Sequence, residues 1–246
     1  MFENKRIFNF QRLDLIKSIG WFWGIMLLVN IFFYIMNLRY YPSMSIGLSN
    51  GFNGTTMLSV AGFNLMPIII YFISHSFETH YESFPISISF STTRRDYYKS
   101  VILSNITVAI SFALILTILL KVDPLIIRAI GRIPMMDFGI FNTSIDSIIY
   151  IIFSLVLSFS TVQSIINLVV VLSYKFGYKI WVCFGVGVFI LTAIFGNKSS
   201  LWSMFDELFT TRVSTLHLIT LGGIIISSYL LGYVIIINTN IKNKIS

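Results

Sequence analysis

The chain has 246 residues; 56% are hydrophobic and only 11% charged, and its mean hydropathy is +0.84. Soluble domains carry roughly 25% charged residues, and this much apolar surface has no place in water, so composition excludes a water-soluble globular fold and makes the bilayer part of the solvent. The formal net charge of +7 fits basic anchoring beside anionic lipid, and a nucleic-acid partner is not needed to explain it.

The expected fold class is all-α: one polytopic membrane domain over 1–246, with six spans, both termini inside, an N-terminal interfacial helix and a short cytoplasmic surface helix. In chain order, MFENKRIFNFQRLDLIKS lacks the basic start, clean apolar core and cleavage site of a signal peptide. Its apolar and charged residues recur at helical spacing, which predicts an interfacial helix over 2–17. Charge-poor runs then predict spans near 19–38, 57–77, 100–120, 147–174, 180–197 and 216–238. About 20 residues cross a hydrocarbon core roughly 30 Å thick. The fourth run exceeds this, so it must tilt or project.

Eleven of the seventeen basic residues fall on the segments that face inward if both termini are inside, against six on the other side. This bias sets the expected N-in, C-in topology. The outer segment 39–56 is rich in Gly and suits a turn-rich connection. Within it Asn53-Gly54-Thr55 matches a glycosylation acceptor, a weak motif. The segment 198–212 has the spacing of a short amphipathic surface helix. The single cysteine, Cys183, excludes an internal disulfide framework and is expected as a small buried hydrophobe.

Asn30, Asn64, Asn105, Gln163 and Asn167 lie within expected spans. Their ordinary role is interhelical hydrogen bonding. Asn30 and Asn64, near mid-span, are the candidate cavity residues. No Asp, Glu, Lys or Arg sits at mid-depth in an expected span, which argues against a proton- or ion-coupled carrier and against an intramembrane protease. His75, Glu78 and Glu82 share a helix face, with His80 off it. The H-E-x-x-H pattern is absent, so no metal site is assigned, and a wet membrane-boundary segment accounts for these residues.

The stretch after the second run, FPISISFSTTRRDYYKS from Phe84, is the informative one. Arg94, Arg95, Asp96 and Lys99 would cost about 2.5–3.5 kcal/mol each at bilayer depth, so the third span starts near residue 100. Thr93 with Asp96 resembles a capping box that begins a helix running into it. Tyr97 and Tyr98 are then expected at headgroup level. Pro85 suits the first turn of a short helix over 84–91, with Phe84, Ile88 and Ser91 on one face and Ile86 and Phe90 beside it.

The residues Phe77-Glu78-Thr79, Ser83-Phe84-Pro85-Ile86 and Ser91-Thr92-Thr93-Arg94-Arg95-Asp96-Tyr97-Tyr98-Lys99 resemble the first cytoplasmic loop of ABC-2 type transporter permeases, and the layout is similar to the membrane subunits of modulin and antimicrobial-peptide exporters. The resemblance covers about 23 positions. It implies a bacterial cell-membrane permease that is itself non-catalytic. It implies a coupling helix that docks on a separate ABC ATPase subunit, present in two copies, through Glu78, Glu82, Phe84, Pro85, Ile86, Ile88, Arg94, Arg95 and Tyr97. A second permease subunit, identical or paralogous, completes the assembly. ATP and Mg would bind that partner, consistent with the lack of a G-x-x-x-x-G-K-[ST] motif here. The aromatic content of 16% suits hydrophobic or amphipathic peptide cargo. The rival readings are a stand-alone immunity or structural membrane protein and an intramembrane enzyme.

Overall fold

The computed structural model describes residues 3–39, 48–52, 55–90, 92–183, 185–187 and 212–239, without the side chains of 3–13 and 48–56. The described chain is mostly helical, with α1 at Glu3–Arg39, α2 at Leu65–Glu78, α3 at Phe84–Ser89, α4 at Arg94–Ala129, α5 at Ile148–Phe176 and α6 at Thr215–Ile237. Four stretches, Asp14–Arg39, Arg94–Ala129, Ile148–Phe176 and Thr215–Ile237, are long and apolar enough to cross a membrane. Large apolar side chains such as Trp21, Leu28, Ile118 and Ile219 point outward. A soluble chain would not leave such a surface open, and this is a membrane protein with several spans.

Five expectations are corrected. The fold is not purely helical: β1 (Leu48–Phe52) and β2 (Thr55–Ser59) pair antiparallel, Leu48 opposite Ser59 and Phe52 opposite Thr55. The N-terminal interfacial helix is not separate from the first span, because α1 runs unbroken from Glu3 to Arg39, about 55 Å. The second span does not begin at Met57, which lies in β2; helix starts only with the 3-10 turn Ala61–Asn64. The third helix passes residue 120 and ends at Ala129, through Pro124. Cys183 is also exposed instead of buried. Most of the expected fifth span and the 198–212 helix lie outside the described residues, although 179–183 and 185–187 are helical.

Helix starts follow side-chain caps. The Thr93 hydroxyl accepts from the Asp96 amide at 3.2 Å, and the Ser147 hydroxyl from the Tyr150 amide at 3.2 Å. Ser214 caps α6 together with His217. Each cap satisfies a backbone donor that the first helical turn leaves free. At the far end of α4, Gly131 takes a φ of 80°. The Arg132 amide then reaches back to the Ile127 carbonyl at 3.0 Å, and a side chain beyond glycine would resist that backbone.

The centre of the bundle is α4. Half of its most apolar stretch is buried inside the chain, against 17% for α1, which is peripheral. Phe112 of α4 packs against Phe22 and Trp23 of α1 and Tyr71 and Phe72 of α2, with ring centroids 4.8–5.6 Å apart. Between helices in lipid, van der Waals contact of this kind replaces the hydrophobic drive. α5 lies against α4, α2 and α6. The bundle end nearest the hairpin is closed by polar contacts around Asp123, which is buried on α4. Its carboxylate accepts from the Tyr34 hydroxyl, from the Ser59 hydroxyl at 2.6 Å and from the Ala61 amide at 3.3 Å. Lys121 donates to the Thr143 and Asp146 carbonyls at 2.7 and 2.9 Å. The carboxylate therefore ties α1, the hairpin and the start of the α2 run to α4.

Asp123→Leu leaves those three donors without their acceptor. Thermal unfolding of the purified chain in lipid nanodiscs is expected to show a loss of about 1–3 kcal/mol, and Ser59→Ala, which removes one donor, a smaller one.

Candidate functional site

The segment 78–99 forms an elbow at the other end of the bundle. The expected break between the second span and the short helix does not occur. α2 passes through a widened π turn, Thr79–Ser83, directly into α3. Glu78, Thr79, Ser83 and Phe84 all keep right-handed helical dihedrals. Pro85 sits in the first turn of α3, and because the run is continuous its missing N–H takes one bond out of the helical ladder just after the π turn. The chain leaves helix only after Ser89, and α4 starts five residues later.

The π turn adds one residue to a helical turn, and such turns re-aim side chains. His80 lies within it, on the buried face that Ile68, Phe72 and Ser76 set at intervals of four. His80 is fully buried, and its Nε2 donates to the Asn167 side-chain carbonyl of α5 at 2.8 Å. The Asn167 amide donates to the Tyr98 hydroxyl of α4 at 3.0 Å. One chain of hydrogen bonds thus joins the elbow to two helices. A second lies one turn deeper. Gln163 of α5 donates to the Ser76 hydroxyl at 3.1 Å and to the Asn105 side-chain carbonyl at 3.2 Å. Tyr97 donates to the Thr79 carbonyl at 2.5 Å, and Arg94 to the Ile237 carbonyl at the end of α6 at 2.6 Å.

The residues assigned from sequence separate into two sets. Phe84 and Tyr97 are buried in a cluster with Tyr98, Val101, Val171, Tyr174, Tyr229 and Ile236, and Ile88 packs on its edge. Tyr97 and Tyr98 therefore lie inside the bundle, enclosed by other helices. Their rings fill space that α3, α5 and α6 close over, and each hydroxyl finds an internal acceptor or donor. Ile86 is 48% exposed and Phe90 79%. Glu78, Glu82 and Arg95 are exposed beside them, and Pro85 is half-buried. Sequence reading did not single out Phe90 as a contact residue, nor His80 and Asn167 as the tie.

Asn30 and Asn64, the candidate cavity residues, are both buried. Neither side-chain atom of Asn64 has a hydrogen-bond partner, and the Asn30 carbonyl oxygen has none. They stand on α1 and in the 3-10 turn before α2, and they do not line the pocket beside the elbow, which Asp14, His75 and Glu78 share. Burial first, then Glu82 and Asp14, raises the Glu78 carboxyl above the usual carboxylate range. Among the described residues no group of three potential metal ligands is close enough to hold an ion.

No protein-family model, curated protein or solved structure matches this chain.

Gly232 of α6 permits the close packing at Tyr98. A Cβ there would overlap the Tyr98 hydroxyl, which Asn167 holds in place. Gly232→Ala is expected to lower the unfolding temperature, at a cost of about 1–3 kcal/mol for the forced overlap. Tyr98→Phe alone costs less, on the order of the 0.6 kcal/mol typical of an interhelical hydrogen bond. The double variant is expected to lose less than the sum, because removing the hydroxyl makes room for the methyl.

Proposed function

We propose that the chain is the membrane permease subunit of an ATP-driven exporter of the ABC-2 type, with six spans and both termini in the cytoplasm of a bacterial cell. Two such subunits, identical or paralogous, would work with two copies of a separate ATPase. The observation that carries this reading is the elbow. Ile86 and Phe90 stand out at 48% and 79% exposure, while Phe84, Tyr97 and His80 anchor the same segment within the bundle. An apolar knob on a rigid base is what a lever needs, since a partner that moves the knob also moves whatever the base is bonded to. Exposed Glu78, Glu82 and Arg95 supply a charged rim, in keeping with an interface of apolar centre and polar edge.

The motion follows from the bonds. Closure of two ATPases on ATP and Mg would push the elbow. The continuous α2–α3 run carries the push into α2. The His80–Asn167–Tyr98 chain and the Arg94–Ile237 bond carry it into α4, α5 and α6. A cavity between two permeases would open or close in response. The exposed aromatic and aliphatic faces support amphipathic peptide cargo. Catalysis of ATP hydrolysis belongs to the partner, and the permease supplies only the grip and the moving helices.

Photo-crosslinking groups placed at Ile86 and Phe90 in cells are expected to capture an ATPase, and a group at Trp21 is not. Ile86→Glu and Phe90→Glu should abolish co-purification of that ATPase while leaving the unfolding temperature within about 0.5 kcal/mol of wild type, as surface changes do. Crosslinks at Ile86 to lipid alone would instead favour a stand-alone membrane protein.

A further inference from the structure

The run from α2 through the π turn into α3 carries two stripes at an interval of four residues. Ile70, Ser74, Glu78, Glu82, Ile86 and Phe90 are exposed. Ile68, Phe72, Ser76, His80 and Phe84 are buried. A straight α-helix does not keep such stripes. Each residue turns it by about 100°, so every step of four overshoots a full turn by about 40°. The five steps from Ile70 to Phe90 would carry the exposed stripe about 200° round, onto the bundle side. The π turn is closed five residues on instead of four, and it holds back roughly one residue's rotation, about 100°. Without it Phe84 would swing about a quarter turn away from Tyr97 and Tyr174, whose ring centroids lie 5.2 and 5.6 Å from its own. Phe90 would swing by the same amount toward the bundle.

Two features hold the extra residue in place. The Phe84 amide donates to the Thr79 carbonyl, the five-residue pairing, and the Tyr97 hydroxyl donates to the same oxygen at 2.5 Å. Pro85 follows at once. It has no N–H to continue the wide pairing. In a straight helix its ring would press on the carbonyl four residues back, that of Tyr81 within the π turn. The straight register therefore meets a clash that the widened one relieves. Helix α3 ends at Ser89 and α4 starts only at Arg94, so α3 can turn about its axis without turning α4.

We infer that the π turn is a two-register device that aims the elbow. With the extra residue held between Glu78 and Pro85, Ile86 and Phe90 face away from the bundle. Released into a straight helix, the same run turns them about a quarter turn toward it. A partner that grips these side chains selects the widened register. The register belongs to the chain alone. Only its use in coupling rests on the transporter reading, and its test needs no ATPase, so the two fail separately.

The test reads thiol labelling by a water-soluble maleimide in the full chain in lipid nanodiscs, with Cys183→Ser as background and either Phe90→Cys or Ile88→Cys added. Phe90→Cys is expected to react severalfold faster than Ile88→Cys, because Phe90 is exposed and Ile88 packs against the bundle. Pro85→Ala should invert that order, slowing Phe90→Cys and speeding Ile88→Cys. Deletion of Glu82 takes out the extra residue and should keep the wild-type order. Pro85→Ala added to the deletion should then change nothing, since no residue is left to release. An unchanged order in Pro85→Ala, an inverted order on deletion of Glu82 alone, or the same inversion by Pro85→Ala with and without Glu82 would each overturn the inference.

Discussion

In an apolar bundle a polar side chain has no water to fall back on, so it bonds to another helix or goes unsatisfied. His80, Asn167 and Tyr98 obey that constraint by bonding in sequence, π turn to α5 to α4. All three are buried. None can leave the chain without taking a partner from its neighbour. The elbow is therefore a fixed part of the bundle, although it lies in the part of the sequence with the most charge. Everything proposed for the segment depends on that fixity. A loop free to flex would absorb a push, whereas a clamped helix passes it on.

The clamp is incompletely satisfied. His80 Nδ1 and Gln163 Oε1 lie in the two polar chains without partners. In a low-dielectric interior such groups raise the free energy of the packed state. A joint in this condition has a smaller margin over alternative pairings than a fully bonded one. At the opposite end Asp123 and Lys121 each satisfy several groups at once, while Asn64, three residues beyond Ala61, has neither side-chain polar atom paired.

Much of this was legible in the residues because local chemistry decided it. Charge-free runs set α4, α5 and α6 to within a few residues on the elbow side, and Thr93 and Ser147 mark helix starts as capping chemistry requires. Pro85 announced a first turn. The hairpin is equally legible: Asn53-Gly54 is the strongest short-range hairpin signal, whereas a turn-rich connection with a glycosylation motif names no strands. The π turn was not legible. A one-residue insertion in a helix leaves no pattern of its own, although His80 lies off the exposed face of Glu78 and Glu82 as helical spacing requires. The enclosure of Tyr97 and Tyr98 is not legible either: an aromatic beside charges normally marks the headgroup layer, and nothing local to these two says that α3, α5 and α6 close over their rings. The unbroken α1 shows the same limit, since charges within a helix that overruns the bilayer do not require a break.

Hydrogen–deuterium exchange of the amides of 79–89 in lipid nanodiscs tests the clamp most directly. If the polar chain holds the elbow, these amides exchange as slowly as those of α4 and α5, and Asn167→Leu speeds them selectively while the hairpin end is unchanged. Exchange of 79–89 at the rate of an open loop in the wild-type chain, or protection indifferent to the loss of Asn167, would contradict the account.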